Sequence, residues 1–368
     1  MWKRDLILNK ELISYFEFVL KRGININKGD TIEIIISSYL PYYLNILKEV
    51  INKYTNDIII TYTDGDLLEK DLKEKGWEKF LDDRVNMYKS LVLKHFKRLT
   101  ITSPFNMPIT NTYDVEMYSK NIYRLSFTRI YFRTHPHTTF ALPNNMWALK
   151  LGLSEEELLK KIIKLSYKEN ELKKYINYLN ELNIDYLHYK TGLGTDLKIK
   201  LNDDYKFLGP NFIDNDYESN IPCQEIFISP YKYGVDGTLI SSKPLFYKNI
   251  FVNAYMLIFK DGELVYNEGL DDLIKDESLK YVGEISLVKG LDPFCYMTTL
   301  LDENTGCHLA LGEGFTEGVK DLTKINHSMY HIDLIFGTDD MIVDAYLKDG
   351  NIIRLIENNK FVGGKYGK

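Results

Sequence analysis

The sequence predicts a two-domain protein of mixed class: an N-terminal α/β domain over residues 1–183 on a mainly parallel sheet, and a C-terminal, mainly antiparallel β domain over residues 184–368. Three observations lead there. Helix-period and strand-period segments alternate through the first half, a charged helical stretch fills residues 154–182, and Asp-Gly turns separate β-branched runs after it. At 368 residues the chain also exceeds what one hydrophobic core supports.

Taken in order, NKELISYFEFVLKRG has apolar residues at helical spacing and reaches a helix stop at Gly23. DTIEIIISS, after the turn signal NKGD, is a strand; PYYLNILKEVINKYT is a helix; NDIIITYTDGD and LTITSPF are strands again. Strands separated by helices of this length imply βαβ units and parallel pairing. In residues 154–182, Ser154 followed by Glu157 is a capping box, and the whole stretch reads as a hinge between domains.

From about residue 184 the texture changes. IDYLHYKTGLGTDLKIKL reads as a hairpin whose turn is GLGTD. EIFISP, VDGTLISSKPL, AYMLIFKDGELVYN, GEISLV, HIDLIFG and MIVDAYLKDGNIIRLIENNKF read as strands, with KDGE and KDGN as hairpin turns and a helix expected at LDDLIKDESLKY.

Composition narrows the function. The chain is 45% hydrophobic and 27% charged, which is globular. Its 52 acidic and 46 basic side chains give a net charge of -6, so there is no positive field for nucleic acid. No apolar run approaches a membrane span, and Asp5, Lys10 and Glu11 interrupt any signal-peptide core in MWKRDLILNKELISYF. Three cysteines without CxxC spacing point to a reducing compartment. The expectation is a cytoplasmic protein with neither nucleic-acid nor membrane partners.

Ligand-type residues recur beside the strands of the second half: Glu225, Glu284, His308, His331 and Asp333. Period two puts His331 and Asp333 on one face of HIDLIF, at a separation that one divalent cation can bridge. Two imidazoles and three carboxylates suit one or two such ions. Taken singly, each has a plainer reading: a solvated Glu at a strand start, a hydrogen-bonded core His, a simple His–Asp couple. HExxH, EF-hand, CxxC, P-loop and GxGxxG patterns are all missing from the sequence. His135 and His137 in THPHTT read as a polar loop rather than a second metal site, and His95 and His188 as structural. His327 is a residue at the site's edge or a surface turn, and Glu313, close after His308, is a candidate to stand in as a base.

The strings NIPCQEIFISP, VDGTL, FKDGEL, YVGEISLV, LLDENTGCHLALGEGF, NHSMYHIDLIFGT and DMIVDAYLKDG occur in an order that resembles the thermophilic metallo-aminopeptidase family, the aminopeptidase T and aminopeptidase S group. GININKGDTIEIIIS and LPNNMWA resemble it too, so the likeness spans nearly the whole chain. It implies a cytoplasmic exopeptidase acting on short peptides, a homodimer, with a centre of two divalent ions (Zn, Co or Mg). It implies ligands at Glu225, Glu284, His308, His331 and Asp333, with Glu284 approaching both ions.

Two departures bear on catalysis. The family motif PTEEVFT has a glutamate where this chain has Gln224, which cannot take up a proton. Where the family has a tyrosine, this chain has Phe315, which offers no hydroxyl to a developing oxyanion; losing one such donor costs about 2.7–4 kcal/mol of barrier. Catalytic roles are therefore expected of Glu284 and of positions Gln224 and Phe315. The chain also looks shortened around residues 211–218 and before Asn326. Two rival readings remain from the sequence. His308, His331 and Asp333 alone form the 2-His-1-carboxylate set of ring-cleaving non-haem Fe(II) dioxygenases. The other rival is a non-catalytic homologue that keeps the fold and binds a metal or peptide.

Overall fold

Leu12, Tyr15, Phe16, Val19 and Leu20 recur at the spacing of one helix face, and all are fully buried along α1 (Trp2–Ile24). This helix passes through Gly23, and the turn comes at Asn25, whose φ is 44°. The computed structural model describes residues 2–63, 76–105, 123–167, 172–209, 217–247, 250–290 and 292–363. The chain divides into two compact units, Met1–Tyr167 with Asp214–Ile221, and Lys168–Ile213 with Pro222–Lys368.

The first unit is α/β, as its alternation of periods implies. Strands β1 (Ile32–Ile36), β2 (Ile58–Tyr62), β3 (Lys97–Thr102) and β4 (His137–Ala141) are all parallel, in the order β2-β1-β3-β4. Helices α2 (Pro41–Ile51) and α3 (Trp77–Leu93) provide two of the crossovers. THPHTT, read as a loop, instead runs into β4 at His137, because Thr138, Phe140 and Ala141 are buried in the sheet. A fifth strand, β7 (Asn220–Ile221), arrives from the second half of the sequence and pairs with β4.

The region expected to be one hinge helix forms two elements. In α6 (Glu155–Ser166) the capping box is present, with Ser154 N donating to Glu157 Oε2 at 2.8 Å and Glu157 N to Ser154 Oγ at 3.2 Å. Two short helices, α4 (Ser126–Tyr131) and α5 (Asn145–Lys150), precede it; residues 168–171 lie outside those described. Helix α7 (Leu172–Glu181), placed before the 183/184 boundary by sequence, belongs to the second unit, whose core buries its Leu172, Tyr175 and Leu179.

The second unit is built on two antiparallel sheets. The larger has eight strands, in the order β13-β12-β9-β6-β5-β17-β18-β19: β5 (Ile184–Lys190), β6 (Asp196–Lys200), β9 (Val235–Ile240), β12 (Met256–Lys260), β13 (Glu263–Glu268), β17 (Ile342–Leu347), β18 (Ile352–Glu357) and β19 (Lys360–Phe361). GLGTD is the β5–β6 turn, as read, and both Asp-Gly signals are hairpins: Asp261 and Gly262 take φ values of 52° and 84° between β12 and β13. The smaller sheet has the order β16-β15-β14-β8: β8 (Glu225–Ile228), β14 (Val282–Val288), β15 (His308–Gly312) and β16 (His331–Ile335). A two-stranded ribbon joins β10 (Leu245–Tyr247) to β11 (Ile250–Val252). LDDLIKDESLKY is not a helix beyond one 3₁₀ turn, Glu277–Lys280: Asp276 caps that turn by accepting Ser278 N, while Leu270 and Leu279 anchor the segment in the core. Among the described residues no helix is long and apolar enough to cross a membrane.

Candidate metal centre

The four-stranded sheet repeats one pattern. Ile226 and Ile228, Ile285 and Leu287, Leu309 and Leu311, Ile332 and Leu334 all enter the unit's apolar core. Period two then turns the intervening residues to the opposite face: Glu225 and Phe227, Glu284 and Ser286, His308 and Ala310, His331 and Asp333. Register aligns them. Glu284 pairs with Ala310 and Ala310 with Asp333, while Gly312 pairs with His331. The central strand thus contributes only a methyl and a hydrogen at the rows where three of the polar side chains converge.

A bulge between Val282 and Glu284 sets the aim of Glu284. Gly283 permits it, since a Cβ there would fall 2.2 Å from the Glu313 carbonyl oxygen. Gly312, at φ 104°, allows the next turn under the Tyr330 carbonyl.

The convergence yields two groups that share Glu284. Glu225, Glu284 and His308 offer ligand atoms within 4.8 Å of one another, and so do Glu284, His331 and Asp333. His308 Nε2 lies 3.0 Å from Glu225 Oε2 and 3.3 Å from Glu284 Oε1. His331 Nε2 lies 3.2 Å from both Glu284 Oε2 and Asp333 Oδ1. The first group is buried throughout, whereas the His331 side chain keeps 31% of its surface exposed, so the site opens on that side.

The outer nitrogens fix both tautomers. His331 Nδ1 is 2.9 Å from the Glu313 carbonyl oxygen, which only accepts, so Nδ1 carries the hydrogen. His308 Nδ1 donates to Ser286 Oγ at 2.9 Å, and Ser286 passes its own hydrogen to the His308 carbonyl at 3.1 Å. Each imidazole therefore presents its Nε2 to carboxylate oxygens. Only a cation or a proton reconciles that arrangement. In agreement, burial by itself would lower both histidine pKa values, yet Glu225 and Glu284 around His308, and Asp333 and Glu284 around His331, hold them well above the ordinary range. Burial also raises Glu225, whose Oε2 has no well-aligned hydrogen-bond partner despite its proximity to His308. Burial opposes ionisation of Glu284 as well, but hydrogen bonds from both histidines outweigh it and lower its pKa. A buried carboxylate oxygen without an aligned partner, beside an inward-facing Nε2, fits a bound divalent cation.

The five residues collected from the sequence thus come together. The dioxygenase-type set does not: His308 and His331 fall in different groups. The Phe315 ring packs on Phe227 (centroids 4.8 Å apart) and on His331 (5.7 Å), with its backbone clipped to Ser229 Oγ. Gln224 is buried and donates its backbone N–H to Asn304 Oδ1 at 2.5 Å. Glu313 serves the site through its carbonyl, while its carboxylate accepts Ser328 N and lies 3.8 Å from His327. His188 bonds Asp196 at 2.6 Å, and His95 stacks on His135, and among the described residues neither set gathers three ligand atoms within bonding reach of one ion. The shortening near residues 211–216 lies outside the described residues.

Glu303 was passed over in the sequence. It lies in the 3₁₀ turn Glu303–Thr305, is buried, and is held well above the ordinary glutamate range by burial and then by the charges of Glu225 and Asp333. Its only signal was an acidic pair, DEN, five residues before His308.

A two-unit α/β and antiparallel-β chain with a buried carboxylate–histidine centre is the architecture of a metallopeptidase. The sequence pattern of the thermophilic metalloprotease family M29 matches residues 8–361, and the chain belongs to that family. It is 25% identical over 407 aligned positions to aminopeptidase AmpS of Bacillus subtilis (strain 168), covering 96% of this chain and 98% of that protein. It is 28% identical to aminopeptidase T of Thermus aquaticus over 210 positions, about half of each chain (51% and 51%). The solved structure of wild-type AmpT from Thermus thermophilus superposes with a TM-score of 0.81 at 21% identity, covering 96% of this chain and 99% of that one, so the fold is shared. The resemblance read from the motifs is borne out. The protein is a metallo-aminopeptidase by class, a hydrolase of peptide bonds.

Proposed function

We propose that the protein removes N-terminal residues from short peptides using two divalent ions, Zn, Co or Mg, one held by Glu225, Glu284 and His308 and the other by Glu284, His331 and Asp333. The observation that carries this reading is the pair of inward Nε2 atoms facing carboxylate oxygens on either side of one shared glutamate. When bound, such ions polarise a carbonyl and bring the pKa of water toward neutrality. Glu284 has two oxygens directed to two different histidines, which suits it to span both positions. Ser286 and the Glu313 carbonyl hold the imidazoles in the required tautomers. The half-exposed His331 side admits the peptide, and the Phe315 ring beside it excludes water. Gln224 cannot carry a proton, so position 224 does not serve as the base.

The relatives named aminopeptidase support the N-terminal specificity, and the family resemblance supports a homodimer. Three free cysteines, two of them buried, support a reducing, cytoplasmic setting.

The test is metal analysis of the purified protein together with release of amino acids from dipeptides and amino-acyl amides, with added Zn²⁺, Co²⁺ or Mg²⁺. Two ions per chain and activity lost in His331→Ala are expected. Equal activity in the variant ends the reading, and a metal-loaded but inert wild type favours the non-catalytic homologue.

A further inference from the structure

We propose that Glu303 is the group that receives the free α-ammonium of the substrate, an inference that rests on the aminopeptidase reading above. A carboxylate that is 8% exposed needs a cationic partner or several donors. Glu303 has neither among the described residues: its one hydrogen bond is a long contact of 3.5 Å from Asn304 Nδ2. Its turn packs against β16, the strand of His331 and Asp333, and is bonded through Asn304 to Gln224, the neighbour of Glu225; the charges of Glu225 and Asp333 act on its carboxyl. It belongs to neither three-residue group. The site's two imidazoles are already engaged by the three grouped carboxylates.

The turn that carries Glu303 is fixed. Asn304 accepts Gln224 N–H and donates to the Leu300 carbonyl at 2.9 Å, and Thr305 Oγ1 accepts from the buried Lys243 at 2.6 Å. A rigid, buried, weakly bonded carboxyl group beside a peptide-hydrolysing centre is complementary to a cation that arrives with the substrate. An enzyme acting at N-termini has to distinguish an ammonium from an amide, and a charge-assisted hydrogen bond in a desolvated pocket does so.

The experiment uses the Zn²⁺-loaded full chain as wild type, Glu303→Gln and Glu303→Asp. Zinc per chain is measured by mass spectrometry, kcat and KM with leucyl-p-nitroanilide, and binding of leucinamide and of its des-amino counterpart, 4-methylpentanamide, by calorimetry. Wild type should prefer the amine on the order of 10-fold or more. Glu303→Gln should lose that preference and raise KM by a similar factor, with zinc content unchanged and kcat little altered, while Glu303→Asp keeps part of the preference. An intact preference in Glu303→Gln, or loss of zinc along with it, overturns the proposal. A wild type that binds zinc but releases nothing sinks the aminopeptidase reading alone, because the calorimetric preference still decides the role of Glu303. A wild type that binds no zinc sinks both.

Discussion

Each unit buries glutamate on a β-strand, and the two treat it in opposite ways. In the first unit Glu33, on β1, is fully buried and fully answered: Thr61 donates at 2.8 Å, Tyr88 at 2.7 Å and the Arg98 guanidinium at 2.6 Å. Arg98 is itself sandwiched by aromatic rings, with Phe132 at 4.3 Å and Tyr88 at 5.2 Å. In the second unit Glu225, Glu284 and Asp333 share two histidines and leave one oxygen without an aligned partner. A buried charge that the protein neutralises itself serves the fold. A buried charge left short of cations is where a ligand belongs.

The largest expected effect separates the two groups of the centre. Glu284→Ala strips a member from both, so metal content should fall to background and peptide release should drop roughly 10³-fold or more. Asp333→Ala and Glu225→Ala each break one group and should leave one ion per chain by mass spectrometry. Full occupancy in Glu284→Ala would show that the shared glutamate is not shared.

Next comes Arg98→Leu, which leaves Glu33 buried with only the Thr61 and Tyr88 hydroxyls. Chemical denaturation should show a loss of about 3–5 kcal/mol, with metal content unchanged. A neutral result would mean that Glu33 finds other donors, and the contrast between the units would collapse.

Asp302 is an intermediate case, answered by the charge of Lys243 and by backbone dipoles: Tyr296 N at 2.7 Å and Thr298 N at 3.1 Å. Burial pushes its carboxyl up to about 6, against Lys243 and those amides. Unfolded, it titrates near ~3.9. Between these values the native state retains a proton that the unfolded chain has released, so its contribution to stability is present at low pH and falls as pH rises through the window, by about 3 kcal/mol in all. The unfolding free energy of wild type minus that of Asp302→Asn, measured at about pH 4 and pH 7, should decline by that order; a flat difference removes Asp302 from this class.

The smallest effect is removal of the ions. A chelator should lower the stability of the second unit by about 2.7 kcal/mol for each ion removed, relative to free ion at 100 times its dissociation constant. Melting followed with and without Zn²⁺ measures it, and no shift would mean that the unpaired oxygen is tolerated without a cation.

Legibility followed chain distance. His331 and Asp333 were readable as neighbours because a strand repeats every two residues and both lie on one strand. The same periodicity exposed Glu284 beside Ile285 and His308 beside Leu309, but it could not say that their strands adjoin; order and register across the sheet come from long-range pairing. The family resemblance, resting on several ordered motifs, bridged that gap. Glu303 stayed hidden because an acidic residue in a turn is ordinarily solvated, and only the packing of that turn against the sheet buries it. β7 stayed hidden because two residues carry no period. The helix expected at LDDLIKDESLKY failed because Leu270 and Leu279 have separate places in the core to fill.

By itself the sequence determined the class of each half, the hairpin turns and the inventory of five ligand-type side chains, because these depend on local periodicity, turn chemistry and residue type. The tertiary structure alone decided that the five divide into two groups around Glu284, that both imidazoles turn Nε2 inward, and that Glu303 is buried beside them. Those outcomes depend on strand register and on exclusion of water, and neither is a property of any short stretch of chain.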